Sequence, residues 1–382
     1  MRDVTRTIRC HVANMLWGRA AGRCQFDNCN RVLSRAPATQ ATRNIGEKAH
    51  IYAFSLGGPR ADGVWPSELL NDIDNLMLVC HDCHVIIDQG DGPDVYTAAR
   101  LQDMKRRQEQ RIEIATSIAP TMSSHVLTYG TFIGEHPALP TFRDAAAALF
   151  PRRVPATTEI LSLGSPTGSQ RDHNEAFWAE QQRELRYEFK RQVRVPIERG
   201  DIKHVSVFAM APQPLLIQLG ALLGSITPTD VYQRHRVSES WAWPPDAVAT
   251  PILSFAAPAG PRVPALVLSV SAIITADRIH RVLGDDVAVW TISVPDPHSD
   301  VVKSPAMVVE FWQHVRRLLD DIKVQHGHKT PLHVFPALPV SLAVELGRVR
   351  MPKADPPWIL YDELQSRGGF VAAFTLTAEA DA

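Results

Sequence analysis

The sequence lacks any apolar run of roughly 18 residues, the length that a transmembrane helix requires. Its opening stretch, "MRDVTRTIRCHVANMLW", also lacks the continuous apolar segment of a secretory signal peptide. We therefore expect a cytoplasmic protein with no membrane partner. The hydrophobic content of 45% predicts a sizeable core, and 382 residues suffice for two or three domains.

Positive charge is missing from one stretch of the chain. Residues 61–98 contain eight acidic residues and no lysine or arginine, whereas residues 1–60 contain ten basic residues and three acidic ones. The net charge of −1 excludes a histone-like polycation. The segregation would suit phosphate binding on one side and cation binding on the other. Ordinary patchiness of a protein surface explains the distribution equally well.

No cysteine follows Cys83, and four of the five cysteines form two close pairs, "CQFDNC" and "CHDC". In a reducing compartment this pattern favours metal binding over disulfides. Four thiolates in two tight turns make a closed tetrahedral zinc site, which stabilises a segment too small to build its own core. We predict one structural zinc ion, with four buried and unliganded cysteines as the alternative. The predicted ligands are Cys24, Cys29, Cys80 and Cys83. Cys10, which stands alone, is expected to be a core thiol.

The apolar pattern of the first part predicts a small mixed domain. It contains an amphipathic helix from Val4 to Arg19, two strand-like runs, "KAHIYAF" and "NLMLVC", and a helix from Tyr96 to Ile118. Residues 119–157 contain five prolines, which predicts a connector with one short helix near "FRDAAAALF".

From residue 158 onward, apolar strand-like runs alternate with helical ones. This alternation predicts an α/β sheet of mainly parallel strands. Two segments, "VFAMAPQPLLIQLGALLG" and "HVFPALPVSLAVELG", share the layout strand, proline and apolar helix, so they are candidates for structural duplicates.

Two histidines and an asparagine are interleaved with the cysteine pairs. His50 lies in "EKAHIYAFSLGGP", Asn75 lies in "DNLMLVC", and His84 directly follows the last cysteine. This order, with the "GG" turn and "NLMLVCHDCH", resembles the HNH endonucleases over roughly residues 20–90. The resemblance implies a ββα-metal unit that holds one catalytic divalent cation, Mg²⁺ or alternatively Mn²⁺ or Ni²⁺.

The resemblance also implies three catalytic roles. His50 would be the general base, Asn75 would brace the loop that carries His50, and His84 would ligate the cation. An imidazole that titrates near neutrality suits a base that deprotonates water. A cation on the scissile phosphate would offset the charge that develops there. Asp88 lies four residues after His84 and shares its helix face, so we expect it to be either a second ligand of the cation or a group that supports the ligands.

Ala49 departs from the family pattern. Many HNH enzymes have an aspartate at this position as a metal ligand, so another carboxylate must replace it. Glu47, Asp74 and Asp88 are candidates, and Glu47 shares a strand face with Ala49 if the strand is regular. The predicted shell of the catalytic cation is therefore His84, Asp88 and Glu47.

The rest of the chain, residues 158–382, resembles the SAVED domain, a sensor of cyclic oligonucleotides. The resemblance is carried by "HVSVFAMAPQPLLIQLGALLG", "DVYQRHR", "SWAWP" and "HVFPALPVSLAVELGRVRMPKADPPWILYD". It implies two fused CARF-type, Rossmann-like halves.

Ligands of such open sheets bind beyond the carboxyl ends of the strands, where helix N-termini favour phosphate. Tryptophans there could stack on bases, although a tryptophan in a sheet domain is more often a core residue and "QRHR" could be a solvated strand edge. The residues expected to bind the cyclic nucleotide are Met210, Pro212, Gln233, Arg234, Trp241, Trp243, Phe335, Pro336, Ala337 and Lys353.

An HNH domain followed by a SAVED domain resembles the effector endonucleases of bacterial CBASS antiphage systems. The predicted fold class is therefore α+β multidomain, with an HNH domain at residues 1–118, a connector at 119–157 and a SAVED domain at 158–382. The resemblance implies that a partner nucleotidyltransferase makes a cyclic di- or oligonucleotide. This activator would bind the SAVED domain and assemble the protein into a homo-oligomer, a dimer to a tetramer or higher, whereas the sequence leaves open whether the resting protein is a monomer or a dimer. Double-stranded DNA would then be degraded with little sequence preference.

Two alternatives remain open on the sequence alone. One is a modification-dependent HNH restriction endonuclease whose second domain recognises modified bases. The other is a non-catalytic, zinc-stapled DNA-binding regulator with a small-molecule sensor, for which Ala49 would be a natural explanation.

Overall fold

The structure, a computed structural model, describes residues 7–55, 57–61, 69–130, 139–164, 175–245, 247–258, 260, 263–364 and 368–377. Contacts between residues divide the chain into two compact units, residues 1–119 and 120–382. Across the ranges just given, no helix is long and apolar enough to cross a membrane.

The first unit is built around two antiparallel strands and the helix that follows them. Its elements are α1 (Cys10–Arg19), β1 (Gly46–His50), β2 (Leu76–Cys80), α2 (His81–Asp88), α3 (Gly92–Val95) and α4 (Ala98–Ser117). The predicted strands and the long helix after Tyr96 are confirmed. The amphipathic helix begins at Cys10 rather than at Val4, which lies outside the described residues.

Every residue of β2 is buried, because the strand lies at the centre of this unit's core. Leu16 of α1, Ile87 of α2 and Leu101 of α4 pack into the same cluster, each with no exposed surface. β1 runs antiparallel beside β2 and places His50 opposite Leu76. The two strands therefore fix where the end of β1 lies relative to the start of α2.

The second unit is an α/β structure with two sheets. Its elements are β3 (Ser123–Gly130), α5 (Phe142–Leu149), β4 (Val154–Leu163), α6 (Glu175–Phe189), α7 (Val195–Arg199), β5 (Val205–Met210), α8 (Gln213–Leu223), β6 (Thr229–Val231), β7 (Leu253–Phe255), β8 (Val263–Ser269), α9 (Ala276–Leu283), β9 (Val287–Ser293), α10 (Pro305–His326), β10 (Leu332–Ala337), α11 (Val340–Val349), β11 (Trp358–Leu364) and β12 (Gly369–Leu376).

One sheet has the strand order β4-β3-β5-β6, and all of its pairings are parallel. The other has the order β12-β11-β10-β8-β9-β7. Its inner pairings are parallel, whereas β12 and β7 are antiparallel edge strands. The predicted α/β architecture with mainly parallel strands is confirmed for this unit.

The segment 119–157, predicted to be a connector, is part of the second unit's sheet. β3 lies between β4 and β5, and its last five residues, Val126 to Gly130, are all buried. The predicted short helix is α5, but β3 was missed because the prolines suggested a loop. Pro155 is tolerated within β4 because β4 is an edge strand, where one fewer ladder donor costs little.

Helices α8 and α11 cross at two glycines. A Cβ atom on Gly220 would lie 1.9 Å from the carbonyl oxygen of Val344, and one on Gly347 would lie 1.9 Å from the carbonyl oxygen of Ile217. The backbones therefore touch directly. Each helix is N-capped by a proline, Pro212 or Pro339, at the same spacing before its glycine. This matched layout agrees with the two duplicated segments that the sequence indicates.

Replacing Gly347 by alanine should destabilise the second unit, because the new methyl group must push two helix backbones apart. Overpacking of this kind costs about 3 kcal/mol. Intrinsic tryptophan fluorescence during denaturation reports mainly on this unit, since six of the eight tryptophans follow residue 119. Val324→Ala is the control, because Val324 is 88% exposed and its loss should leave the transition in place. Equal transitions for both variants would contradict the tight crossing.

Candidate functional site

Four cysteine sulfur atoms converge at the junction of β2 and α2. The Sγ atoms of Cys24, Cys29, Cys80 and Cys83 all lie within 4.8 Å of one another. The Sγ atoms of Cys29 and Cys80 are 3.9 Å apart. Tetrahedral zinc with Zn–S bonds of about 2.3 Å places its sulfur ligands about 3.8 Å apart. The four residues therefore fit a structural zinc ion.

The electrostatics of the cluster favour a bound cation. Burial raises the pKa of the Cys24 thiol to about 12 and also raises the pKa of Cys83. Thiolates at these positions need a positive charge beside them, which zinc supplies. Cys10, by contrast, is exposed at the start of α1, so the prediction of a core thiol there is wrong.

Gln25 connects the first cysteine turn to the centre of the unit. Its backbone N–H donates to the carbonyl of Leu78 at 2.9 Å, and its side-chain oxygen accepts from the N–H of Leu78 at 2.8 Å. Its amide donates to Gln108 of α4 at 3.2 Å. The residue thus acts as a short extension of the sheet and fixes Cys24 beside Cys80.

Asn75 braces the loop after β1. Its side chain is fully buried. The Oδ1 atom accepts from the backbone N–H of Tyr52 at 2.7 Å, and Nδ2 donates to the carbonyls of Tyr52 at 3.1 Å and Leu70 at 2.9 Å. These are the side-chain-to-backbone bonds that the sequence comparison implied for this position.

His50 ends β1 and is partly buried. Its Nε2 atom lies 3.0 Å from Oδ1 of Asn71, and its ring packs against Phe54 with centroids 5.8 Å apart. The contact with Asn71 was not anticipated from the sequence. Together with the packing against Phe54, it orients the imidazole.

His84 lies between two carboxylates. Its Nδ1 atom contacts Glu47, and its Nε2 atom is 3.1 Å from Oδ2 of Asp88. The hydrogen bond to Asp88 is the main reason that the pKa of His84 rises to about 9, and the hydrogen bond from His84 lowers the pKa of Glu47. His81 also contacts Glu47 at 2.8 Å.

The predicted cation shell is therefore assembled only in part. Glu47 and Asp88 contact opposite nitrogens of the His84 ring, so the three groups do not face one common point. Within the described ranges, the four cysteines are the one group of three or more such side chains whose ligand atoms converge. Asp74, the other carboxylate considered, is 71% exposed and lies 3.7 Å from Arg19. Glu47 and Nδ1 of His84, which contact each other, remain as the candidate pair for a cation.

In the second unit, several predicted ligand residues lie at the carboxyl ends of parallel strands. Met210 ends β5, where it pairs with Gly130, and Ala337 ends β10, where it pairs with Ser269. Pro212 is the N-cap of α8 and is itself buried. The sequence-based placement at this edge is therefore correct for these residues. Residues 131–138 and 165–174, which follow β3 and β4 in sequence, lie outside the described residues.

The helix N-termini at this edge are linked by glutamines. Gln213 of α8 accepts from the backbone N–H of Leu338 at 2.9 Å. Gln233 accepts from the N–H of Ser341 at 3.2 Å and from its hydroxyl at 2.8 Å. Gln233 is buried and therefore holds the start of α11 rather than presenting its amide to solvent. Arg234 beside it is partly exposed, which leaves it available to a ligand.

Trp241 and Phe335 are core residues, in contrast to the prediction that they line a ligand site. Trp241 is 4% exposed and packs edge-on against Phe208 with centroids 5.4 Å apart. Phe335 is fully buried and stacks on Tyr361 at 4.2 Å. Pro336, inside β10, is likewise buried and pairs with Leu268. Hydrophobic burial decided these positions, because each side chain points into a core beneath the strand ends.

Trp243 and Lys353 each line a different cavity. Trp243 is partly buried and borders a cavity of about 300 Å³ together with Tyr232 and Trp312. Lys353 borders a cavity of about 940 Å³ beside the last residues of α8 and α11. Because the ten residues of α11 separate it from Ala337 by a helix length of about 15 Å, Lys353 does not lie at the strand-end edge. The structure therefore does not bring Lys353 together with Met210 and Ala337, and its contact with the ligand stays a prediction.

Sequence comparison identifies the family of the second unit. A profile of the family described as "SMODS-associated and fused to various effectors sensor domain", SAVED, matches residues 185–376, half of the chain. The chain belongs to the SAVED family. The match begins within α6 and ends with β12, so the predicted SAVED sensor is confirmed. β3 and β4 precede the matched range, although they belong to the same unit.

Solved structures resemble the chain more distantly. The Cap4 SAVED/CARF-domain containing receptor of Acinetobacter baumannii with the cyclic trinucleotide 2'3'3'-cAAA is 10% identical, with a TM-score of 0.41, and the match covers 73% of this chain and 60% of that one. The Moraxella osloensis Cap4 receptor is 12% identical, with a TM-score of 0.40, over 73% of this chain and 59% of that one. The SAVED chain described here thus spans about three fifths of the length of those receptors. No curated protein matches the sequence.

The cysteine cluster generates a direct prediction. The purified protein should contain one zinc ion per chain, and Cys83→Ser should lose it together with most of the roughly 10 kcal/mol that a structural zinc contributes to folding. Elemental analysis and limited proteolysis of the first unit measure both effects. Cys10→Ser is the matched control, since Cys10 is outside the cluster and should keep its zinc. Full zinc content in Cys83→Ser would contradict the assignment.

Proposed function

We propose that the protein is a metal-dependent endonuclease for double-stranded DNA whose activity is controlled by a cyclic oligonucleotide bound to its SAVED domain. The observation that carries the proposal is the set of hydrogen bonds from Asn75 to the loop after His50. Asn75 is buried, and both its side-chain oxygen and its side-chain nitrogen bond to the backbone of Tyr52. These bonds fix the backbone two residues after His50. That arrangement suits a catalytic base better than a structural histidine.

Each residue of the proposed site has a distinct task. His50 accepts a proton from water, and Asn71 keeps its ring oriented through Nε2. Glu47 and Nδ1 of His84 form the cation-binding pair. A divalent cation bound there would supply positive charge to the scissile phosphate and to the oxygen that leaves. Ala49, where many family members have an aspartate, is buried in the core, and Glu47, two residues earlier on the same strand face, would supply the carboxylate instead.

Asp88 is better assigned as an orienting group than as a ligand. Histidines that ligate metals usually donate their second ring N–H to a carboxylate, which fixes the tautomer. Asp88 stands in that position, since it contacts Nε2 while Glu47 contacts Nδ1. This revises the predicted shell from three ligands to two, with the remaining positions open to water and phosphate oxygens.

The SAVED domain supplies control. We place the cyclic oligonucleotide at the strand-end edge near Met210, Arg234 and Ala337, where α8 and α11 begin. A ligand shifts the balance between inactive and active forms only through its differential affinity, and a shift from about 1% to 99% active requires roughly 5.5 kcal/mol. Homo-oligomer contacts that form only with the ligand bound would contribute that energy.

Plasmid cleavage tests the whole proposal. With Mg²⁺ or Mn²⁺, wild-type protein should cut DNA only in the presence of one member of a panel of cyclic di- and trinucleotides. His50→Ala should lower the rate by at least about 100-fold, as expected for loss of a general base. His328→Ala, in the exposed turn after α10, serves as the control and should cut normally.

The other outcomes discriminate between the alternatives. Cleavage that no cyclic nucleotide affects but that requires modified bases would favour a modification-dependent restriction enzyme. Absence of cleavage, together with an unchanged antiphage effect of His50→Ala in cells, would favour the non-catalytic DNA-binding regulator.

The location of the ligand can be tested with two cationic residues that lie at opposite ends of α11. Arg234→Ala should weaken binding of the activating cyclic nucleotide by about 10-fold or more, because a charge-assisted hydrogen bond to phosphate is lost. Lys353→Ala should leave the affinity unchanged. Isothermal titration of both variants measures this difference. A larger loss with Lys353→Ala would move the site to the cavity beside the helix C-termini.

A further inference from the structure

The side chain of Arg60 donates hydrogen bonds to groups on both sides of the proposed nuclease site. Its side chain is only 5% exposed. Nε donates to the carbonyl of Ile51 at 2.7 Å, and Nη1 donates to the carbonyl of Ile87 at 2.7 Å. Nη2 donates to Oδ1 of Asp88 at 2.5 Å and reaches the carbonyl of His50 at 3.4 Å.

A tight turn places Arg60 in this position. Gly58 donates to the carbonyl of Ser55 at 2.9 Å and accepts from Ala61 at 3.2 Å. A Cβ atom on Gly58 would come within 2.8 Å of the Ala53 side chain, so the turn requires a glycine there. Arg60 itself has a φ of 60°, the left-handed region that ordinary residues rarely adopt. A strained backbone is thus maintained at the residue whose guanidinium contacts both sides of the site.

The four contacts join two separate segments. His50 and Ile51 belong to the end of β1, which carries the proposed base. Ile87 and Asp88 belong to the end of α2, which carries the proposed cation ligand. One guanidinium and one carboxylate therefore connect the backbone of His50 to the ring of His84, because Asp88 is in turn 3.1 Å from Nε2 of His84.

We propose that Arg60 is a positioning residue of the nuclease site, which holds Asp88 against His84 and fixes the end of β1 relative to α2. The inference rests on the proposed function, since it assigns a role within that same site. Arg60 acts through Asp88 and the two backbone segments rather than on DNA, because each of its three guanidinium nitrogens already donates to a protein group and its side chain is buried.

An arginine suits this task where a lysine does not. A planar guanidinium offers five donors in a fixed fork, so it can satisfy two backbone carbonyls and a carboxylate at once. A lysine is a single flexible donor centre and would leave carbonyl groups without partners. Removal of residues that orient a metal-ligating histidine typically lowers metal affinity or activity by 10- to 100-fold.

The test compares Arg60→Ala, Asp88→Ala and the double variant in the full-length protein. Arg43→Ala, an exposed arginine of the same unit, is the control. Binding of Mn²⁺ is measured by electron paramagnetic resonance, and plasmid cleavage is measured with the activating cyclic nucleotide. Zinc content and the unfolding transition are recorded for every variant. We expect Arg60→Ala to lower Mn²⁺ affinity and cleavage by 10- to 100-fold while zinc content stays at the wild-type level.

The double variant separates positioning from general stability. If Arg60 acts through Asp88, removal of Arg60 should cost little additional Mn²⁺ affinity once Asp88 is gone, because the two residues share one effect. If Arg60→Ala lowers Mn²⁺ affinity as much in the absence of Asp88 as in its presence, Arg60 does not act through Asp88. Should Arg60→Ala fail to fold, Arg60→Lys retains the charge and is expected to keep its zinc yet still lose Mn²⁺ affinity.

Failure of this inference is distinguishable from failure of the proposed function. If wild-type protein cuts DNA and Arg60→Ala binds Mn²⁺ and cuts as well as Arg43→Ala, the role of Arg60 is refuted and the nuclease stands. If wild-type protein does not cut DNA under any condition, the proposed function itself fails.

Discussion

The packing of four cysteine sulfurs at the junction of β2 and α2 is the constraint on which the first unit depends. Cys80 is both the last residue of β2 and the N-cap of α2, and Cys83 lies in the first turn of that helix. Consecutive residues of a helix point about 100° apart. Once Cys83 is directed inward, His84 must project from another face of α2. The position of Cys83 in the cysteine cluster thus decides which face of α2 carries His84.

A chain of charged groups extends from this helix. Glu47 contacts one nitrogen of the His84 ring, Asp88 contacts the other, and Arg60 contacts Asp88. Each charge is partly or largely shielded from water, so each requires a partner of opposite sign. The two carboxylates therefore lie against opposite nitrogens of the imidazole.

The second unit applies a different constraint. Two glycines allow α8 and α11 to touch along their backbones, which brings the N-termini of both helices to one edge of the SAVED domain. The duplicated halves are not equivalent there. Gln213 of α8 reaches across to Leu338, whereas Val340 occupies the matching first position of α11, and Ser341 is held by Gln233. The side chains at this edge are therefore arranged asymmetrically.

The sequence by itself determined the positions of most helices and strands, the grouping of the four cysteines and the order His50, Asn75, His84, because these signals depend on local periodicity and short spacings. The tertiary structure alone decided that β3 joins the sheet, that Trp241 and Phe335 are buried, and that Lys353 lies a helix length from Ala337. It also decided the opposed contacts of Glu47 and Asp88 and the role of Arg60. Those features depend on strand order, helix direction and contacts between distant segments, which no local pattern encodes.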